Sequence, residues 1–178
     1  MSAHIALIKG DGIGADVCDA TTYLVDLCLQ LVGEAPLAIT KINAGAAYFQ
    51  ETGADIEAGG EDIASRCDAI FLGAIGLPSI RHTNGTEISP HLRLRERFQL
   101  YAGVRPVKAY PNIPQKLADP RAASIDFIVI RESTEGLFHS AAVHNRSHIE
   151  ADFAVEETMR ITRKTTEKLH KFAFNLAR

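Results

Sequence analysis

The chain reads as an α/β protein. Short apolar runs of strand length recur along it, a helix-period stripe separates the first two, and glycine or proline punctuates the junctions. Strands that alternate with helices imply parallel pairing, with helices layered on the sheet.

The first element is Ile5-Ala6-Leu7-Ile8, an apolar run of buried-strand length, and Gly10-Asp11-Gly12-Ile13-Gly14 turns the chain after it. Ile13, Val17, Ala20, Leu24, Leu27 and Leu31 recur at three and four residues, predicting one apolar helix face that Gly33 terminates. Leu37 to Ile42 is a second strand, Ala46 to Glu51 a short helix, and Asp68 to Ala74 a third strand. From Leu77 to Pro90 the chain is loop-like, then helical over Leu92 to Phe98 and extended over Tyr101 to Val107. Pro106, Pro111, Pro114 and Pro120 keep the next stretch irregular, and Ile125 to Ile130 is another strand. Val155, Met159, Thr162, Thr166, Leu169, Ala173 and Leu176 predict a final long helix, with Glu167 and Lys171 spaced for an i,i+4 ion pair. That helix meets no glycine or proline stop before Arg178, the pattern of a chain cut inside its own helix.

Composition narrows the class. The 178 residues are 46% apolar and 23% charged, ordinary for a globular protein. No apolar run approaches a membrane span, and the first residues lack a basic n-region, so no membrane partner and a cytoplasmic location are expected. Cys18, Cys28 and Cys67 show no Cys-x-x-Cys spacing and read as reduced packing residues. Between Arg81 and Arg131 nine Lys/Arg face four Asp/Glu, in a chain whose net charge is −3. This basic stretch lacks interleaved aromatics and any nucleic-acid reader motif, so a small anionic substrate fits it better than nucleic acid.

Within that stretch Arg95 lies in Leu94-Arg95-Glu96, Arg105 in the run Tyr101 to Pro106, and Arg131 in Arg131-Glu132-Ser133-Thr134-Glu135-Gly136. A guanidinium is a planar fork that binds carboxylates two donors at a time, so three converging forks suit a di- or tricarboxylate. Arg93 and Arg97 read instead as surface ion-pair partners. Glu132 and Glu135 follow a buried strand directly, where acid–base work is conceivable, but salt bridges to nearby basic groups fit them better. The Gly10–Gly14 turn misses the G-x-G-x-x-G spacing of a Rossmann site, and no acid ends the second strand. Its backbone still lets something flat or anionic approach a helix N-terminus. His144 and His148 stand at i,i+4, but Asn145 and Ser147 argue against the helix that a metal pair would need.

Taken together, Ile5 to Val17, Leu72-Gly73-Ala74-Ile75-Gly76, Leu94-Arg95-Glu96, Tyr101 to Val107 and Arg131 to Gly136 resemble the β-decarboxylating dehydrogenases, the isocitrate/isopropylmalate dehydrogenase family. The details are most similar to its tartrate/isopropylmalate-like branch. The resemblance implies the family's non-Rossmann three-layer fold, incomplete here, with residues 1–100 in a cofactor-side lobe and 101–178 in a second lobe. It implies NAD- or NADP-dependent oxidation of a 2-hydroxy acid, aided by Mg²⁺ or Mn²⁺, in a cytoplasmic homodimer. Arg95, Arg105 and Arg131 fall on the family's substrate-carboxylate arginines. Gly12, Ile13, Gly73, Ala74, Ile75 and Gly76 fall where its members line the cofactor cleft.

Two departures accompany the resemblance. The position seven after the third arginine, usually tyrosine, is Phe138, which has no proton to give. The family's catalytic lysine, metal-binding aspartates and main adenosine loop lie in the second half of a chain about twice as long. No catalytic lysine and no metal ligand set are therefore expected here, and the expectation is an N-terminal part without turnover of its own. The alternative is a non-catalytic carboxylate-binding or regulatory subunit that pairs with a full-length relative.

Overall fold

The computed structural model describes residues 2–139, 147–150 and 154–178, with the backbone alone for 147–150 and 155–157. The chain divides into two compact units, Met1–Leu94 and Arg95–Arg178. The division falls after Leu94, six residues ahead of the 100/101 junction drawn from sequence, so Arg95 belongs to the second unit.

The first unit is built on three parallel strands, β1 (His4–Gly10), β2 (Ala38–Lys41) and β3 (Ala69–Ala74), in the order β2-β1-β3. Central β1 buries Ala6, Leu7 and Ile8, as the apolar run requires. Helix α1 (Gly14–Val32) leads from β1 to β2, and α2 (Ala46–Thr52) and α3 (Gly60–Ser65) lead from β2 back past β1 to β3. Right-handed crossovers running in opposite directions across the sheet, β1 to β2 and then β2 past β1 to β3, set α1 and α3 on opposite faces, giving three layers. Gly33, at φ 75°, ends α1 with its own amide and that of Glu34 turned back to Gln30 and Leu29.

The helix itself is where it was expected, but the buried face is not. Gly14 and Cys18 are buried and Thr22, Val25 and Leu29 half-buried, whereas Val17, Leu24, Leu27 and Leu31 are exposed, Leu31 by 78%. Small residues decide this. A Cβ on Gly14 would lie 2.1 Å from the Lys9 carbonyl oxygen, and one on Gly73 2.9 Å from Cys18 Sγ. The helix therefore approaches the sheet along its glycine–cysteine edge, and the bulkier stripe is turned about one residue away.

In the second unit, β4 (Ala102–Lys108) and β5 (Asp126–Glu132) form an antiparallel ribbon, and β6 (Ser147–Glu150) pairs antiparallel with β7 (Ala154–Glu157). A 3₁₀ turn over Pro120–Ser124, capped by Asp119, enters β5. The last helix is shorter than its stripe. It is α5 (Arg163–Leu176), because Val155 lies in β7 and Thr162 is the N-cap whose hydroxyl accepts from the Thr165 amide. Glu167 pairs with Arg163 at 3.7 Å rather than with Lys171. The division falls within α4 (Pro90–Arg97).

Candidate functional site

The arginine cluster lies within the second unit. Strand register builds half of it: Gly103 pairs with Arg131 and Arg105 with Val129. Directly paired residues share a face of the ribbon, as do residues two apart, so Arg105 and Arg131 are diagonal neighbours on one face. Gly103 opposite Arg131 adds no side chain to that face. The third member, Arg95, comes from the last turn of α4 and is half-buried.

Phe138 ties the set together. The Arg95 guanidinium carbon lies 5.8 Å from the centre of its ring and that of Arg131 5.9 Å. Burial, then the charges of Arg131 and Arg105, holds the Arg95 guanidinium below its ordinary pKa. Among the described residues no carboxylate pairs with any of the three. Three converging cations with no described carboxylate among them favour an anion. Arg93 behaves differently, as expected of it: Asp55 takes two of its donors, at 2.8 and 2.9 Å, and Glu61 a third.

The turn after β5 fixes the backbone that carries Phe138. Glu132 accepts from the Thr134 amide and hydroxyl and the Glu135 amide, at 2.6 to 2.7 Å. Glu135 accepts from the Thr162 amide and both the Thr162 and Thr165 hydroxyls, each at 2.7 Å. Its carboxyl is raised by burial, but those hydrogen bonds and the Arg160 charge outweigh that and hold it below its ordinary value. Neither glutamate makes a salt bridge among the described residues, which corrects the sequence expectation: both serve the backbone. The Gly136 amide and carbonyl exchange bonds with Arg160, and the Phe138 amide donates to the Glu135 carbonyl.

The glycine cluster lies within the first unit. The Asp11 amide donates to the Ala74 carbonyl at 2.6 Å, bringing Gly12 and Ile13 beside Gly73, Ala74, Ile75 and Gly76 at the C-terminal ends of β1 and β3. In the sheet β2-β1-β3 this is the carboxyl edge of two parallel strands, the edge at which open α/β sheets bind ligands. Ile13 occupies the N-cap of α1 without a capping side chain, and the Gly14 amide of the first turn is taken by the Asp11 carbonyl. A Cβ at Gly12 or Gly76 would meet nothing within 4 Å, and both glycines are exposed. The cradle is therefore open at Gly12 and Gly76.

Asp11 escaped the sequence reading. It is 3% exposed, and its carboxylate accepts from the Ala46 and Ala47 amides at the start of α2, both at 2.8 Å, and from the Gly76 amide at 2.7 Å. One acid thus pins the turn, α2 and the loop after β3. The available signal was an acid between two glycines after a buried strand. His144 lies outside the described residues, as does the His148 side chain, and among the described residues no three His, Cys, Asp or Glu form a metal-binding group. No helix is long and apolar enough to cross a membrane among them either.

Residues 4–178 match the sequence model of the family described as isocitrate/isopropylmalate dehydrogenase. The chain is 34% identical to 3-isopropylmalate dehydrogenase of Heyndrickxia coagulans, over 99% of its own length and 49% of the relative's. It is 30% identical to the decarboxylating D-malate dehydrogenase of Escherichia coli K12, over 98% and 48%. The crystal structure of isocitrate dehydrogenase from Methylococcus capsulatus superposes with a TM-score of 0.76 at 26% identity, over 99% of this chain and 48% of that one. The chain spans about half the length of the curated relatives it matches.

Proposed function

Because the chain belongs to the isocitrate/isopropylmalate dehydrogenase family, we propose that it is the N-terminal part of an NAD(P)-dependent dehydrogenase acting on a small 2-hydroxy di- or tricarboxylic acid. The substrate class rests on one observation: Arg95 and Arg131 converge on one ring beside Arg105, with no described carboxylate answering them. In this reading the two carboxylates of a substrate such as malate, tartrate or 3-isopropylmalate, or those of isocitrate, bridge the three forks. That would fix the hydroxyl-bearing carbon, and a nicotinamide cofactor, when bound, would supply the hydride acceptor.

The cofactor edge would lie against Gly12, Ile13, Gly73, Ala74, Ile75 and Gly76, with open space beside Gly12 and Gly76, whereas Gly73 serves the packing of α1 on the sheet. The described residues do not fit a divalent ion on their own, so no step is assigned to Mg²⁺ or Mn²⁺ on this chain. Phe138 cannot protonate an enolate. Oxidation that stops short of decarboxylation, or a proton drawn from water or another acid, follows from that. The cytoplasmic homodimer belongs to the same proposal.

Calorimetric titration of the 178-residue chain tests the substrate class. D-malate or tartrate should bind, acetate should not, and Arg131→Gln should weaken dicarboxylate binding roughly 10- to 100-fold, the scale of one charge-assisted bidentate contact. Equal binding of acetate and D-malate would sink the proposal.

A further inference from the structure

We propose that Phe138 is a positioning residue: its ring face gathers the Arg95 and Arg131 guanidiniums into one carboxylate-sized cluster without occupying their hydrogen-bond donors. The inference rests on the carboxylate-site reading above and adds to it the device that holds the site open.

Three guanidiniums brought together with no described carboxylate among them repel one another, and long side chains free to do so splay into water. A carboxylate would gather them, but only by consuming the donors the substrate needs. An aromatic face attracts cations through its quadrupole and takes no hydrogen bond from the fork edges. Phe138 stands within cation–π range of two of the three, at 5.8 Å from Arg95 and 5.9 Å from Arg131. Its own position depends on neither arginine. The Glu132 turn, the Glu135 bonds to Thr162 and Thr165, and the Gly136–Arg160 bridge fix the segment that carries it. Phenylalanine therefore works here through its ring face, a feature that tyrosine shares.

The test compares wild type, Phe138→Leu and Phe138→Tyr in the 178-residue chain. It reads arginine Nε–Hε resonances by NMR and D-malate affinity by calorimetry. In wild type the Arg95 and Arg131 resonances should be displaced by the ring current relative to Arg105. Phe138→Leu should abolish the displacement and weaken D-malate binding about fivefold, and Phe138→Tyr should restore both. Undisplaced wild-type resonances, or equal affinity in Phe138→Leu, would overturn the positioning role. A loss that tyrosine fails to rescue would assign Phe138 to packing alone, and also overturns it. Should wild type bind no D-malate, the carboxylate reading fails, while the resonance displacement still decides separately whether the ring gathers the arginines.

Discussion

At the scale of single residues, Asp11 carries more of the first unit than any of the cysteines or histidines that draw the eye. Its buried carboxylate receives three backbone amides from two elements 35 and 65 residues away in sequence. Asp11→Ala leaves those donors without a partner and should cost about 3 kcal/mol or more, measured by urea unfolding. Gly45 lies against the same acid, its own amide donating to the Asp55 carbonyl. It sits at φ 123°, and a Cβ there would lie 2.6 Å from Asp11 Oδ2, so Gly45→Ala should destabilise by at least about 1–3 kcal/mol. The turn at Gly10 to Gly14 was legible because glycine spacing is local. The role of Asp11 was not, because its partners become neighbours only when the sheet forms. The three arginines were legible for the opposite reason: each sits in its own recognisable motif, and only their convergence needed the fold.

Elements show where periodicity misleads. Val155, Met159 and Thr162 keep helical spacing with Thr166 and Leu169, yet Val155 lies in β7 and the helix starts after Thr162. A three-to-four spacing says nothing about where a cap intervenes. Thr162 caps because Glu135, from a distant turn, takes its amide and hydroxyl. That contact has a pH signature. Folding holds the Glu135 carboxyl below its ordinary value of 4.5, so the stability it contributes is complete above that value and is lost as pH falls below it. Amides in the first turn of α5 should therefore lose hydrogen-exchange protection as pH drops below about 4.5, after correction for intrinsic rates. Glu135→Gln should start with that protection reduced and lose little more on acidification. Unchanged protection in wild type down to pH 3 would remove Glu135 from the cap.

For the whole molecule, what was legible was the family and its α/β elements; what was not was which apolar faces this chain covers. The outer stripe of α1 stays exposed at Leu24, Leu27 and Leu31, and the β4–β5 ribbon at Val104, Phe127, Ile128 and Val129. A two-stranded ribbon is marginal by itself, and exposed apolar stripes of this kind mark surfaces that something else covers. The curated relatives are about twice as long as this chain, and polypeptide equivalent to their remaining half is the natural cover. The 178 residues alone should show no nicotinamide reduction with malate, tartrate, isocitrate or 3-isopropylmalate in the presence of Mn²⁺. Sustained turnover by the purified chain would refute that. The most direct test is the intact mass of the native protein isolated from its source. A mass of roughly twice the 19.4 kDa calculated for these residues is expected of an N-terminal part of a dehydrogenase. A native mass of 19.4 kDa would contradict it and leave the arginine cluster to a binding subunit.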